Sequence, residues 1–224
     1  MILIRRVADS PECSNDETAC RLHHEWNGTG TLVVNLIGSA GAGKTSLLEA
    51  TLPRLRDDAR LLVIQGDIET EHDAERTEAL GIDTVQILTG GMCHLEAHLV
   101  EKAWRSMERR GPYDLVFIEN VGNLVGPATC YLGEHLRVTL LSVPEGDDKP
   151  SKYPGAFRTA TALVISKTDL LPHFEFKVER AKRDALALQP DLKVFELSTR
   201  TGEGLDPWIR YLRERAAAHM PILV

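Results

Sequence analysis

The chain has 224 residues, of which 43% are hydrophobic and 26% charged, and its formal net charge at pH 7 is −7. This is the composition of a globular protein with a substantial core. The net negative charge argues against a broad nucleic-acid-binding surface, and no apolar stretch is long enough to span a membrane. We therefore expect neither nucleic acid nor a membrane as a partner.

The cysteines and the N-terminus favour a reducing compartment. The N-terminal MILIRR is too short, and wrongly flanked, for a signal peptide. We therefore expect a cytoplasmic protein in which Cys13, Cys20, Cys93 and Cys130 are reduced thiols, available as metal ligands.

Short apolar runs alternate with helical patterns from residue 31 onward. Strands are expected at 31–37, 61–66, 84–88, 114–118, 137–143, 161–166 and 193–197, and helices at 44–56, 73–80, 94–110, 175–188 and 205–217. This alternation predicts a three-layer α/β fold with a mostly parallel central sheet and helices on both faces. Residues 1–30 are expected to form a polar N-terminal arm with one short helix, and residues 31–224 a single domain.

A glycine-rich segment follows the first of these strands and precedes a helical pattern. It matches G-x-x-x-x-G-K-[ST] in full, in the residues Gly38, Ser39, Ala40, Gly41, Ala42, Gly43, Lys44 and Thr45, with Ser46 next. Its glycines let backbone N–H groups close around phosphates at a helix N-terminus. Lys44 would reach the terminal phosphates and the Thr45 hydroxyl would bind Mg²⁺, so we expect a P-loop fold that binds a nucleoside triphosphate.

Acidic residues follow two further strands, at the sheet edge where ligands bind. Asp67 comes after the second strand, where a mobile loop would approach Mg²⁺ or the attacking water. Glu119 and Gly122 occupy the place of a D-x-x-G element, whose acid supports Mg²⁺ and whose glycine contacts the terminal phosphate. We expect Lys44, Asp67, Glu119 and Gly122 to be the catalytic residues.

The segment after the strand at 161–166 favours guanine as the base. Ser166-Lys167-Thr168-Asp169 is close to N-K-x-D, in which the carboxylate accepts two hydrogen bonds that adenine lacks the donors to supply. Ser198 and Thr199 lie in a later loop similar to the one that contacts the guanine O6 atom. Together these segments predict GTP rather than ATP.

Cys93 and His94 are adjacent, between a strand and a long helical pattern. A thiolate beside an imidazole suits zinc or nickel, although a cysteine at a helix start and a surface histidine have commoner explanations. His98 lies one helical turn beyond His94, so the two imidazoles could share a face, although solvent exposure is the commoner explanation for His98.

Three further strings of the chain form an unusual combination: Gly91 to Ala97, Glu119 to Val125 and Glu145 to Pro154. Together they resemble the HypB family, the GTPases that assist nickel insertion into NiFe-hydrogenase, and the resemblance extends from about Asp16 to Leu212. It implies a slow, Mg²⁺-dependent GTPase of the SIMIBI class that dimerises with GTP. It also implies two partners, an accessory nickel chaperone of the HypA type and the hydrogenase large subunit.

The same resemblance implies Ni²⁺ or Zn²⁺ at the dimer interface, held by Cys93 and His94. The family's second cysteine follows the Asn-Leu-Val string, and Gly126 stands there in this chain. Cys130 would substitute only if its loop turned the sulfur inward; otherwise water or the partner subunit would complete a weaker site. In the arm, we expect Cys20, His23 and His24 to lie on a helix that packs near the GTPase domain rather than to form a nickel motif.

Two alternatives stay open. One is a metal-carrier or storage protein whose oligomeric state is set by GTP, although the arm offers few ligands. The other is a P-loop kinase for a small molecule, although the sequence shows no arginine-rich lid and Lys167-x-Asp169 argues against ATP.

Overall fold

The centre of the fold is a parallel β-sheet, seen in a computed structural model that describes residues 2–5, 14–68 and 72–219. Within these ranges the strands are Ile2–Arg5 (β1), Leu32–Gly38 (β2), Leu61–Asp67 (β3), Asp83–Leu88 (β4), Leu115–Glu119 (β5), Leu136–Ser142 (β6), Ala162–Ser166 (β7) and Lys193–Leu197 (β8). Their order is β1-β4-β3-β5-β2-β6-β7-β8, and every pairing is parallel.

Helices connect the strands and cover both faces of the sheet. They are Asn15–Thr29 (α1), Lys44–Leu55 (α2), His72–Glu78 (α3), Ala97–Met107 (α4), Gly126–Thr129 (α5), Lys149–Lys152 (α6), Pro154–Arg158 (α7), Val178–Leu188 (α8) and Leu205–His219 (α9). Short 3₁₀ turns lie at Glu108–Arg110, Val143–Glu145 and Thr168–His173.

Alternate residues of the central strands pack against helices on opposite faces of the sheet. In β2, Leu32, Val34 and Leu36 pack with α2 and α9 on one face. Val33 packs with α1 and α4 on the other face, where Ile37 joins the cluster around α7 and α8. All seven residues of β2 are buried, which explains why the strand reads as a continuous apolar run. The predicted three-layer α/β fold is confirmed.

The seven predicted strands are all present, and the structure adds one that the sequence did not reveal. β1 pairs with β4, from Ile2 opposite Val85 to Arg5 opposite Leu88, at the outer edge of the sheet. A four-residue run at a chain end carries too little periodicity to predict a strand.

α1 packs on the sheet as expected of a helix in the arm. Ser14 and Glu17 form a capping box at its start, and Gly30 ends it in the left-handed conformation with φ 71°. Its buried residues include Leu22 and Trp26, both fully inaccessible. The division of the chain at residue 30 stays a prediction. In the described ranges, no helix combines the length and apolar character needed to cross a bilayer.

Candidate functional site

The P-loop forms one wall of a cleft of about 400 Å³ at the carboxyl ends of the strands. Gly43, with φ 95°, directly precedes α2, so the loop turns sharply into the helix N-terminus. Lys44 Nζ donates to the carbonyls of Gly38 and Ser39, at 3.2 and 3.3 Å. The lysine is thus held over the loop, at the end of the cleft where terminal phosphates would bind.

Buried polar groups form a continuous chain of hydrogen bonds beneath the cleft. Thr45 Oγ1 donates to Glu119 Oε1 at 2.6 Å, and Gln65 Nε2 donates to Glu119 Oε2 at 2.7 Å. Thr77 Oγ1 in α3 donates to Gln65 Oε1 at 2.8 Å. All four side chains are buried, so the chain fixes the orientation of the Glu119 carboxylate. It also ties α3 to the first turn of α2.

Gly122 and Asp67, two of the predicted catalytic residues, also lie at this cleft. Gly122 approaches the P-loop so closely that a Cβ there would lie 2.8 Å from Ala40 Cα. Asp67 is half-buried in the cleft wall, and its side chain accepts from the Ile68 N–H. The structure therefore places Lys44, Thr45, Asp67, Glu119 and Gly122 around one cleft.

The side chains here suit Mg²⁺, because Thr45, Asp67 and Glu119 offer the hard oxygen donors that this ion prefers. The direct contact of Thr45 with a buried carboxylate also places an anionic group where the ion would be held. We take Thr45, supported by Glu119 or Asp67, as the residues that would hold it.

Two residues of the predicted base-recognition segment, Ser166 and Lys167, are hydrogen-bonded to the P-loop. Ser166 Oγ donates to Ala42 O and Lys167 Nζ to Gly41 O, both at 2.6 Å. Ser198 Oγ, beside the half-buried Thr199, donates to Asp169 Oδ1 at 2.6 Å. Ser166, which stands where N-K-x-D has Asn, thus binds the P-loop backbone through its hydroxyl.

Cys93 and His94 lie outside the nucleotide cleft, in the loop before α4. Cys93 Sγ is 3.7 Å from His94 Nδ1, and Cys93 is exposed. Gly126 is next to them: a Cβ there would lie 3.0 Å from Cys93 Sγ and 2.9 Å from His94 Nδ1. The position where the resemblance implies a third ligand is therefore at the pair, and it carries no side chain.

Cys130 does not join this pair. Its buried thiol donates to Asn15 Oδ1 at 3.2 Å, and burial raises its pKa to about 11. Within the described ranges, no group of three or more His, Cys, Asp or Glu side chains is arranged to hold a metal ion. The suggested inward turn of Cys130 is not seen, because Asn15 holds its sulfur elsewhere.

His94 and His98 do not share a helical face, the option that their spacing had offered. α4 begins only at Ala97, so His94 lies before the helix and helical spacing does not apply. His98 Nδ1 instead lies 3.2 Å from Glu96 Oε2.

The cysteine and histidine side chains of α1 do not converge on one point. His23 Nδ1 lies 3.0 Å from both Gly133 O and Tyr131 Oη, and its ring is 4.6 Å from that of His135. Cys20 and His24 are exposed, and Cys13 lies outside the described residues. This fits a helix packed against the sheet rather than a metal motif.

Three polar residues of the site were missed from the sequence. Gln65 and Asn120 are buried at the ends of apolar strands, a place where a polar side chain signals a buried network. Asn120 Oδ1 accepts from the N–H groups of Leu95 and Val121, both at 3.0 Å, and so joins the Glu119 loop to the Cys93-His94 segment. The third, Arg76, lines the cleft from α3, and its charge on a helix resembled an ordinary surface residue.

The fold and the cleft define a P-loop nucleotide-binding protein. A family model described as the nucleotide-binding domain of CobW/HypB/UreG matches residues 32–196. Hydrogenase maturation factor HypB of Azotobacter chroococcum mcd 1 is 44% identical over 206 residues, which are 92% of this chain and 67% of that protein. Hydrogenase/urease maturation factor HypB of Helicobacter pylori (strain J99) is 39% identical over 215 residues, which are 94% of this chain and 87% of that protein. The chain belongs to the HypB family of hydrogenase maturation factors.

Solved structures give the same result. HypB from Helicobacter pylori in complex with nickel superposes with a TM-score of 0.86 and 37% identity, covering 94% of this chain and 99% of that one. HypB from Archaeoglobus fulgidus has a TM-score of 0.83 and 37% identity, covering 90% and 98%. A transport system kinase at 18% identity, with a TM-score of 0.55, shows the fold alone. The chain spans only 67% and 64% of the Azotobacter chroococcum and Escherichia coli relatives.

Proposed function

We propose that this chain is a GTP-hydrolysing maturation factor that takes part in nickel delivery to a hydrogenase. The observation that carries the proposal is the joining of two recognition elements at one P-loop. At one end, Thr45 and Lys44 face Glu119 and Asp67. At the other, Lys167 donates to the loop backbone two residues before Asp169, which Ser198 orients.

Guanine recognition would rest on Asp169. The carboxylate would accept from the N1–H and the exocyclic amine of guanine, and Ser198 holds one of its oxygens in place. Adenine presents no such pair of donors, so a site built this way would strongly prefer GTP. The aliphatic part of the Lys167 side chain would lie along the base. Thr199 follows Ser198 in the loop proposed to contact the guanine O6 atom.

Hydrolysis would rely on charge and alignment rather than on covalent chemistry. Lys44 would leave its carbonyl partners and bind the terminal phosphates, and Asp67 would position the attacking water. Gly122 lets the Glu119 loop lie against the P-loop without a side-chain clash. When bound, Mg²⁺ would neutralise phosphate charge next to Thr45.

Nickel would be carried as cargo by Cys93 and His94. Among the described residues, one chain brings together two neighbouring ligands, and Gly126 adds none. A symmetric GTP-dependent dimer that joins two such pairs would complete a four-ligand site. The hydrogen bonds of Asn120 to Leu95 and Val121 would couple the Glu119 loop to that pair. An accessory nickel chaperone and the hydrogenase large subunit are the partners proposed for the metal.

Phosphate release from GTP and ATP, measured with Mg²⁺ at equal concentrations, tests the proposal. We expect slow GTP turnover and a clear preference over ATP. ATP preference, or transfer of phosphate to a small-molecule acceptor, would favour the kinase alternative instead. Metal stoichiometry in the presence and absence of a GTP analogue, together with the oligomeric state, tests the nickel and dimer components.

A further inference from the structure

Arg76 stands beside the phosphate end of the cleft, on the first helix after β3. Within the described ranges, the cationic side chains that line the cleft are those of Lys44, Arg76 and Lys167. Lys167 belongs to the base-recognition end. Arg76 therefore lines the same cleft as Lys44, beside Ser46 in the first turn of α2.

The present contacts of Arg76 hold it at the rim of the P-loop helix. Its guanidinium forms two hydrogen bonds to Glu49, Nε to Oε1 at 2.9 Å and Nη2 to Oε2 at 2.5 Å. Nη2 also lies 3.4 Å from the Oγ atom of Ser46, the residue after Thr45. The guanidinium thus reaches the residue that directly follows the P-loop.

The backbone that carries Arg76 is fixed relative to the proposed Mg²⁺ ligands. Its neighbour Thr77 is fully buried and bonds Gln65, which bonds Glu119, which in turn bonds Thr45. Any rearrangement of this series of hydrogen bonds on nucleotide binding would be transmitted to α3. The position of Arg76 is therefore coupled to the site where the terminal phosphate is held.

The Arg76–Glu49 pair is suited to exchange. The side chains are 41% and 35% exposed, and solvent-exposed ion pairs contribute little stability. A terminal phosphate carries more charge than a carboxylate and matches the planar guanidinium with two oxygens. The exchange of Glu49 for phosphate would therefore be favourable once a triphosphate is bound.

We propose that Arg76 is a catalytic residue supplied by the same chain, which moves from Glu49 to the terminal phosphate and stabilises its charge during hydrolysis. This inference rests on the proposed GTPase function. In the reaction, the oxygen of water bonds the terminal phosphorus and the bond from that phosphorus to the bridging oxygen breaks. The bridging oxygen keeps the electron pair, and the protons of water pass to inorganic phosphate and solvent. Arg76 binds oxygens of the transferred group throughout.

The test compares Arg76→Ala and Arg76→Lys with Glu49→Gln, which removes the ion pair but keeps the guanidinium. Arg54→Ala is the matched control, because Arg54 is also 41% exposed and pairs with a carboxylate, Asp206, at 2.8 Å on the same helix as Glu49 but away from the cleft. Thermal unfolding of each variant establishes that it is folded. The readouts are kcat and KM for GTP, and the ratio of affinities for GTPγS and GDP.

We expect Arg76→Ala to lower kcat by on the order of 10²-fold, the usual loss of one transition-state donor. Its preference for the triphosphate over the diphosphate should fall by about tenfold, as for one charge-assisted hydrogen bond. Arg76→Lys should stay impaired, Glu49→Gln should match or exceed the wild type, and Arg54→Ala should match it. Added guanidinium chloride, but not an equal concentration of sodium chloride, should partly restore Arg76→Ala.

Equal losses in Arg76→Ala and Glu49→Gln, without guanidinium rescue, would overturn the inference, because they would show a structural ion pair only. If the wild type binds nucleotides but does not hydrolyse GTP, the proposed function fails. In that case the ratio of affinities for GTPγS and GDP still tests this inference, and an unchanged ratio in Arg76→Ala overturns it. A wild type that binds no nucleotide overturns both.

Discussion

The nucleotide cleft and the Cys93-His94 pair differ in how completely one chain builds them. In the cleft, Thr45 and Glu119 are buried and held by a network that reaches α3. The pair lies in a loop with Cys93 exposed, and the adjacent position 126 carries no side chain. A closed network of hydrogen bonds orients its groups before a ligand arrives, whereas two ligands on a loop need further donors. We infer that the cleft acts within one chain and the metal pair only in an assembly.

The largest effect that sharpens this comparison is expected from Lys44→Met. Removing the charge at the terminal phosphates should lower GTP hydrolysis by on the order of 10³-fold. Metal bound per chain without nucleotide should not change, because Cys93 and His94 are not among the residues that line the cleft of Lys44. Phosphate release and metal titration measure the two properties, with Lys102→Met, an exposed change on α4, as the control. Loss of both properties together would mean that the two sites are not separable.

Asp169→Asn should have the next largest effect. The amide replaces one acceptor by a donor, so GTP affinity should fall by about 100-fold or more, while xanthosine triphosphate, which presents an acceptor there, should gain. Competition against a fluorescent nucleotide measures both affinities. An unchanged preference for GTP would show that another group selects the base.

Gly126→Cys tests the incomplete side of the comparison. Residues that only hydrogen-bond to metal ligands change metal affinity by about 10- to 100-fold. A third direct ligand next to Cys93 and His94 should therefore strengthen Ni²⁺ or Zn²⁺ binding by at least about tenfold. A Cβ at position 126 would lie 3.0 Å from Cys93 Sγ, so the loop must shift slightly to admit the new side chain. Gly126→Ser, of similar size but with a poor soft-metal ligand, is the control, and chelator competition under reducing conditions is the measurement. Equal affinities in both variants would place the metal elsewhere.

The smallest effect on metal binding is expected from Cys130→Ala. Because Cys130 donates to Asn15 and burial raises its pKa to about 11, the thiol stays protonated near neutral pH and its removal should leave metal affinity unchanged. The variant should lose about 1 kcal/mol of unfolding free energy, measured by urea denaturation. Alkylation followed by mass spectrometry should label exposed Cys93 well before Cys130. Weaker metal binding in Cys130→Ala would restore Cys130 as a ligand.

The parts of this molecule that sequence predicts are those whose cause is local. The P-loop pattern determines a turn between a strand and a helix within eight residues, and the apolar runs of buried parallel strands are equally local. The hydrogen bond of Thr77 to Gln65 joins different elements, so no spacing predicts it. The orientation of Cys130 depends on Asn15, 115 residues earlier in the chain. Whether His94 and His98 share a helical face depends on where α4 begins, and helix boundaries are the least certain part of a prediction from periodicity.

The short strand β1 has a practical consequence for handling this protein. It occupies the outer side of β4 through residues Ile2–Arg5, so the N–H and C=O groups of β4 on that side are paired within the molecule. A chain shortened at its N-terminus would present β4 as an open edge, and such an edge recruits strands from other molecules. Retaining residues Ile2–Arg5 should therefore keep β4 covered and leave the shorter, four-residue β1 as the strand at that edge, which limits intermolecular strand addition.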